Sequence, residues 1–387
     1  MRPLRVALVH PYSWPEVRRG GERYLADLSW YLAGAGHLVE VITGTEGATA
    51  DERVDQVMIH RRHHILQHRF AGRGIGATET FALPALSCLL RRRYDVVHAL
   101  TPTAAIAARL AGQRTVLTLL GHPTEDALGQ RPGLRRLLKI ALRAAHVVTV
   151  LSRASAAEAE RVLGTKAVVL PPGVRLDRFP PSLRPRSGPP RILFSADLNL
   201  RQKGLDTLLA ATPTLLERRP DLRIQLSGDG DPSWALEGLG SDRSRVTEAL
   251  DHLGVGALDE VPRRYAGASA TVLPSTHEAF GLALLESLAS GTPVVCSQEG
   301  GMPEIVDDPV VGRTAPYGRP DALADAIDAV LTLAGSDDVP KRCRAHARRW
   351  DWQDMVGPAH ERLYRRVAAG TGVASETTDG IDKFVEA

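Results

Sequence analysis

Short apolar runs alternate with helical patterns along this 387-residue chain, stop at a cluster of prolines and glycines, and then begin again. Val6–Val9, Val39–Ile42, Val96–Val97, Thr115–Leu119, Val147–Val150 and Val168–Leu170 read as strands, with helical spacing over Glu22–Ala35, Ala104–Leu110, Leu134–Ala144 and Ala154–Leu163. Strands that alternate with helices are joined by crossovers, which build a doubly wound parallel sheet. A second series runs through Arg191–Phe194, Ile224–Leu226, Thr271–Leu273 and Pro293–Val295. Between the two series lie Leu170-Pro-Pro-Gly-Val174, Phe179-Pro-Pro181 and Arg184-Pro-Arg-Ser-Gly-Pro-Pro190, too rich in Pro and Gly to continue a helix or a central strand. Two Rossmann-like α/β domains are therefore expected, at 1–178 and 179–350, facing across a cleft that is the default ligand site. The segment 351–369 reads as a further helix, with Met355, His360, Leu363 and Val367 near one face, and the polar stretch 370–387 is expected to be a disordered tail.

Length suits two cores of about 150 to 200 residues each. A hydrophobic content of 43% and a charged content of 24% describe a globular protein. No apolar run reaches the roughly 18 residues of a membrane span, and Leu4–Val9 meets Pro11 too soon for a signal peptide, so a cytoplasmic location is expected. Cys88, Cys296 and Cys343 have no ligand-like spacing and imply neither a disulfide framework nor a metal site. The net charge of +3 hides an asymmetry: residues 1–180 hold 25 Lys+Arg against 15 Asp+Glu, and the remainder 23 against 30. Nucleic acid is a poor explanation of the basic half, since aromatic residues make up only 5% and no binding motif accompanies the charge. Arg91-Arg-Arg93 and Arg135, Arg136, Lys139 and Arg143 in one helical pattern fit two readings: a solvated charged face, or peripheral contact with an anionic membrane.

The densest chemical signal is Glu278-Ala-Phe-Gly-Leu-Ala-Leu-Leu-Glu286, directly after the apolar run Ala270–Ser275. Leu282, Leu284, Leu285 and Leu288 give a helix, which puts one acid in the turn before it and the other further along it, on the order of 10 Å away. Between the acids lie the backbone amides of Phe280, Gly281 and Leu282, at the positive end of the helix dipole. Such a start suits a diphosphate, with a sugar at one carboxylate and a ribose at the other. Either acid alone could equally be a helix cap or a surface acid.

The E-x7-E spacing, the Phe-Gly after the first Glu and the Gly-Thr-Pro-Val-Val that follows resemble the retaining family 4 glycosyltransferases, which have the two-domain GT-B fold. Pro171-Pro-Gly-Val-Arg-Leu-Asp-Arg-Phe179 resembles that family's linker, with Arg175 where the family has Asp, and Glu299–Ile305 resembles its G-G-x-P-E turn near the donor sugar. Lys203-Gly204 matches the family's Lys-Gly, whereas Asp197 stands where a phosphate-binding Arg is usual, which makes Arg201 the substitute candidate. The resemblance implies that Glu278 and His122 hold the donor sugar and Glu286 the ribose. The amides of Gly281 and Leu282, with Lys203 and Arg201, would hold the diphosphate, and the Gly20-Gly21 loop would close over diphosphate and acceptor.

The residues support parts of this independently. Gly20 and Gly21 open a helix after the first strand and permit positive φ and close backbone approach. His122 follows a strand whose carboxyl end opens into the crevice of such a sheet, though a lone His is more often structural, and His10 is a weaker candidate of the same kind. Gly228, in Leu226-Ser-Gly-Asp-Gly230, ends a strand where a nucleotide could approach the backbone. The expected reaction is sugar transfer from a UDP-, GDP- or dTDP-sugar to an acceptor hydroxyl, with retention and without metal or cofactor. A glycolipid, a polysaccharide or a secondary metabolite could supply that hydroxyl, through loops such as 43–50 and 66–77. A nucleotide-sugar epimerase, a phosphorylase or a non-catalytic sugar-nucleotide-binding protein would share the donor wall and transfer nothing to a separate hydroxyl.

Overall fold

The computed structural model describes residues 2–63, 80–129, 132–180 and 188–371; the expected tail beyond Thr371 and the loop 66–77 lie outside them. Two compact units result, Met1–Gly173 with Trp350–Ala387, and Val174–Arg349. The division falls at Gly173 rather than 178 because the turn that follows is tied into the second unit. Arg344 donates to the carbonyls of Leu176 and Phe179, and the Phe179 ring is buried against Tyr265.

In the first unit the strands β1 (Arg5–His10), β2 (Leu38–Thr45), β3 (Ala50–Val54), β4 (Val57–His63), β5 (Val96–Ala99), β6 (Thr115–Leu119), β7 (Val147–Val150) and β8 (Val168–Val169) form one sheet in the order β3-β4-β2-β1-β5-β6-β7-β8. All neighbours are parallel except β3 and β4, an antiparallel pair at the edge that the sequence reading did not anticipate. Central strands such as β1 and β6 are buried on both faces because helices cover both. Ala7, Val9, Val97 and Leu117 pack under the helices Ala82–Leu90 and Pro102–Leu110.

The last helix begins later than the sequence pattern suggests. Asp351 accepts the amides of Gln353 and Asp354 and caps a π-helical turn, Trp352–Val356, from which Gly357–Ala369 continues as α-helix against the helix Gly20–Gly34. Gly357 is pressed on the Tyr31 ring, where a Cβ would come within 2.3 Å. Beneath this helix lies a buried polar chain. Tyr24 donates to Nε2 of His360 at 2.7 Å, whose Nδ1 donates to the Val356 carbonyl at 2.8 Å, while His98 bridges Tyr364 and Thr118, each at 2.5 Å.

The second unit carries β9 (Arg191–Ser195), β10 (Arg223–Ser227), β11 (Leu250–His252), β12 (Ala270–Leu273), β13 (Val294–Ser297) and β14 (Gly312–Ala315) in the all-parallel order β11-β10-β9-β12-β13-β14. One of its cores joins Ile192, Ile224 and Val272 to the helices Leu205–Arg218 and Pro320–Leu333. Strand order reverses between β9 and β12, which are neighbours here though three helical connections and two strands separate them in sequence.

Burial lowers the pKa of His360 from 6.5 to about 4 and holds that of His98 well below its ordinary value. A folded-state pKa below the unfolded one means that the unfolded chain takes up the proton first. The contribution of these two rings to stability is therefore complete above pH 6.5 and is lost as pH falls towards 4. For His360 alone the loss is expected to be about 3 kcal/mol. Denaturant titrations from pH 7 to pH 4 check it, with His360→Gln expected to flatten the dependence.

Candidate functional site

In an open α/β sheet the ligand crevice forms outside the carboxyl ends of the strands, at the point where strand order reverses. In the second unit that point lies between the loop leaving β9, residues 196–204, and the turn leaving β12, residues 274–281. Lys203 ends a short 3-10 turn in the first loop, and its Nζ reaches the Glu278 carboxylate of the second at 2.5 Å. Both side chains keep 21% exposure, enough to meet a ligand. The two loops are also joined through backbone: the Thr276 amide donates to the Gln202 carbonyl at 2.8 Å, and the Ser275 hydroxyl to the same oxygen at 3.0 Å. Gly204, with φ of 74°, lies where a Cβ would stand 2.1 Å from the Pro274 carbonyl oxygen. No other residue fits so close an approach in the left-handed region.

Glu278 does not cap the helix. That place belongs to Gly281, at φ 107°, and no side-chain cap is made. Helix Leu282–Ala289 turns Leu284, Leu285 and Leu288 inward, so its first amides emerge at the crevice and Glu286 stands half-buried further along. The first amides of a helix have no carbonyl of the helix to bond, and they carry its positive dipole end. The Glu278 carbonyl accepts the Gly301 amide at 3.0 Å, and Gly300, at φ 61°, packs so closely that a Cβ would lie 2.0 Å from that oxygen. Phe280 is buried. The turn at 299–304 thus fixes the backbone from which Glu278 projects.

Arg201 is not brought onto Glu278. Its guanidinium stacks over Trp234, 4.5 Å from the ring centroid, and the indole donates to the Leu198 carbonyl. Asp197 accepts the Asn199 amide and shapes the loop. Gly228 abuts the same loop, since a Cβ there would lie 1.8 Å from the Ala196 carbonyl oxygen. Sequence reasoning missed Trp234 and Ser275, whose roles arise only from loops distant in sequence.

In the first unit Gly20 and Gly21 begin the helix Gly20–Gly34. Neither adopts a positive φ, contrary to the reason given for them above. Space is what Gly21 supplies: a Cβ would meet Leu120 at 2.9 Å, and so the Gly-Gly turn lies against the loop that carries His122. His122 is half-buried, with Nδ1 at 3.1 Å from the Ser155 hydroxyl. His10 is buried at the end of β1, its Nδ1 paired with the Tyr12 carbonyl and its pKa lowered by burial.

Two family models match the chain: Glycosyltransferase Family 4 over residues 18–178 and Glycosyl transferases group 1 over residues 189–333. A D-inositol 3-phosphate glycosyltransferase from Arthrobacter sp. (strain FB24) is 30% identical over 302 residues, covering 71% of each chain. This chain belongs to the family 4 glycosyltransferases. A phosphatidyl-myo-inositol mannosyltransferase from Mycobacterium tuberculosis is 29% identical across 95% of the chain and 98% of the relative. The GT-B fold is shared with sucrose-phosphate synthase from Thermosynechococcus elongatus, at TM-score 0.77 and 22% identity over 95% and 99% of the two chains. Anabaena HepE in complex with UDP and glucose superimposes at TM-score 0.71, with 21% identity over 93% and 99%. The glycosyltransferase has, among its described residues, no helix long and apolar enough to cross a membrane.

The packing of Gly300 on the Glu278 carbonyl gives a direct check. Gly300→Ala must displace the turn that carries Glu278, and kcat/KM for transfer is expected to fall about 100-fold, the cost of a misplacement near 1 Å. Gly318→Ala, at a positive φ with nothing near its Cβ, is the control for backbone strain alone and should leave kcat/KM within a few-fold.

Proposed function

We propose that the glycosyltransferase moves a sugar from a nucleotide diphosphate sugar to a hydroxyl of an inositol-phosphate acceptor, with retention at the anomeric carbon. The Lys203–Glu278 contact at the strand-order reversal, in front of the helix amides of Leu282 and its neighbours, carries this reading. Glu286 takes the ribose, Glu278 the sugar hydroxyls, and Lys203, Arg201 and the amides the diphosphate. Gly228 packs on Ala196 and Gly281 beside Met302, which sets the backbone that meets the nucleotide in this reading. Structural neighbours with UDP and UDP-glucose bound support a donor of this class, and the mannosyltransferase relatives favour mannose as the sugar.

In this reading Glu278, paired with Lys203, binds the sugar and does not attack it. Retention then follows from front-face substitution. The bond from the anomeric carbon to the phosphate oxygen breaks and its electrons pass to the phosphate. The acceptor oxygen bonds to the same face, and its proton goes to the departing phosphate oxygen. Fixed cations and amide dipoles meet the charge that develops there, so the reading requires no metal. His122, at the end of β6, holds a donor-sugar oxygen.

Relatives named for inositol phosphate and for phosphatidylinositol support an inositol acceptor in free or lipid-linked form. The helix Pro132–Ala144 favours the lipid-linked form. Arg136, Lys139 and Arg143 are exposed and three and four positions apart, a basic strip with the exposed Ile140 at its middle.

A thermal-shift panel of UDP-, GDP- and dTDP-sugars should single out one donor, stabilising by about 2.7 kcal/mol at 100 times its Kd. Glu278→Ala should abolish transfer and leave the unliganded melting temperature within a few degrees. Normal turnover of that variant removes the assignment. EDTA should not slow the reaction. Sedimentation with phosphatidylinositol vesicles should weaken steeply as salt rises, and binding that ignores salt contradicts the basic strip as the contact.

A further inference from the structure

Among the described residues two that are not glycine hold a left-handed φ, Asp55 at 51° and His277 at 57°. Asp55 has a local cause, since it opens the two-residue turn between β3 and β4, where a hairpin calls for positive φ. His277 lies between β12 and the helix Leu282–Ala289, directly before Glu278, and no hairpin explains it. We propose that His277 is a positioning residue, whose left-handed backbone, and not its imidazole, sets the Glu278 carboxylate on Lys203.

The neighbours on both sides of His277 are tied to segments distant in sequence. Before it, the Ser275 carbonyl accepts the Ser297 hydroxyl from the end of β13, and the Thr276 amide donates to the Gln202 carbonyl at 2.8 Å. Beyond it, the Glu278 carbonyl accepts the Gly301 amide at 3.0 Å. The Glu278 side chain is held as well, with Oε2 at 2.5 Å from Nζ of Lys203 and 3.3 Å from the Ser275 hydroxyl. With both ends of the turn tied, residue 277 must close the gap, and the torsion that closes it is one that L residues rarely adopt. Such conformations persist only where the surroundings over-determine them, and they gather at functional sites. Histidine enters the left-handed region more readily than most side chains, and β-branched residues enter it least. The imidazole is exposed, so packing of the ring does not hold the turn. The inference rests on the role given to Glu278 in the proposed function.

Four variants separate backbone from ring. His277→Gly and His277→Asn remove the imidazole and keep access to the left-handed region, and kcat/KM for transfer should stay within a few-fold of the wild type. His277→Ala should lose about 5-fold, in line with the several-fold preference of histidine over ordinary residues for this region. His277→Val should lose about 100-fold, as Glu278 is moved off Lys203. That loss should pass through Glu278, so that in a Glu278→Gln background His277→Val costs no more than about two-fold further.

Losses in His277→Gly and His277→Asn as deep as in His277→Ala mean that the ring itself meets the ligand, and overturn the inference alone. So does a rate in His277→Ala equal to that in His277→Gly, a comparison that stands even if His277→Val does not fold. A lowered melting temperature in His277→Val with an unchanged rate overturns it too, because the turn then bears the strain without moving Glu278, as does a full further loss on top of Glu278→Gln. Normal transfer by Glu278→Ala overturns the inference together with the reading on which it rests.

Discussion

Lys203 and Glu278 meet where the strand order of the second sheet reverses, and the rest of the candidate site in that unit is built around their contact. Ion pairs removed from water seldom add net stability, because desolvation offsets the attraction. The surroundings show what this one does instead. Gly204 lets one loop press on Pro274, the Gln202 carbonyl takes two hydrogen bonds from the other, and Gly300 closes on the Glu278 carbonyl from behind. A cation and a carboxylate are thereby held in contact at the mouth of the sheet. Preorganised charge of this kind lowers a barrier without reorganisation at the moment of reaction.

In the first unit, too, loops are held against one another by close packing and hydrogen bonds. Gly21 presses on Leu120, and Ser155, on a helix capped by Ser152, reaches His122. The Tyr24–His360 and His98–Tyr364 contacts dock the terminal helix on the other side of that sheet, where burial lowers the pKa of both rings.

The features legible in sequence were those with local causes. Apolar runs such as Leu117–Leu119 and Val147–Val150 are buried on both faces and could hardly be anything but central strands. Glu278 to Glu286 announced its helix through the leucine spacing, and the Pro-rich stretch announced a boundary. Features with non-local causes were hidden. β3, Ala-Asp-Glu-Arg-Val, is exposed throughout and forms a strand because β4 offers an edge and because His60 of β4 sits between Asp51 and Glu40. Gly20 and Gly21 were noticed for a backbone freedom they do not use; the residue that decides Gly21 is Leu120, about a hundred positions away. Trp234 under Arg201 and Ser155 behind His122 have no signature of their own, since each matters only through its partner.

A double-mutant cycle on Lys203→Ala and Glu278→Gln, read as kcat/KM for the donor sugar, tests the central claim most directly. Residues that act as one preorganised unit are non-additive, and the double variant should be little worse than either single one, with a coupling of about 1 to 3 kcal/mol. Effects that add to within about 0.5 kcal/mol would mean that the two side chains act independently, and would contradict the account.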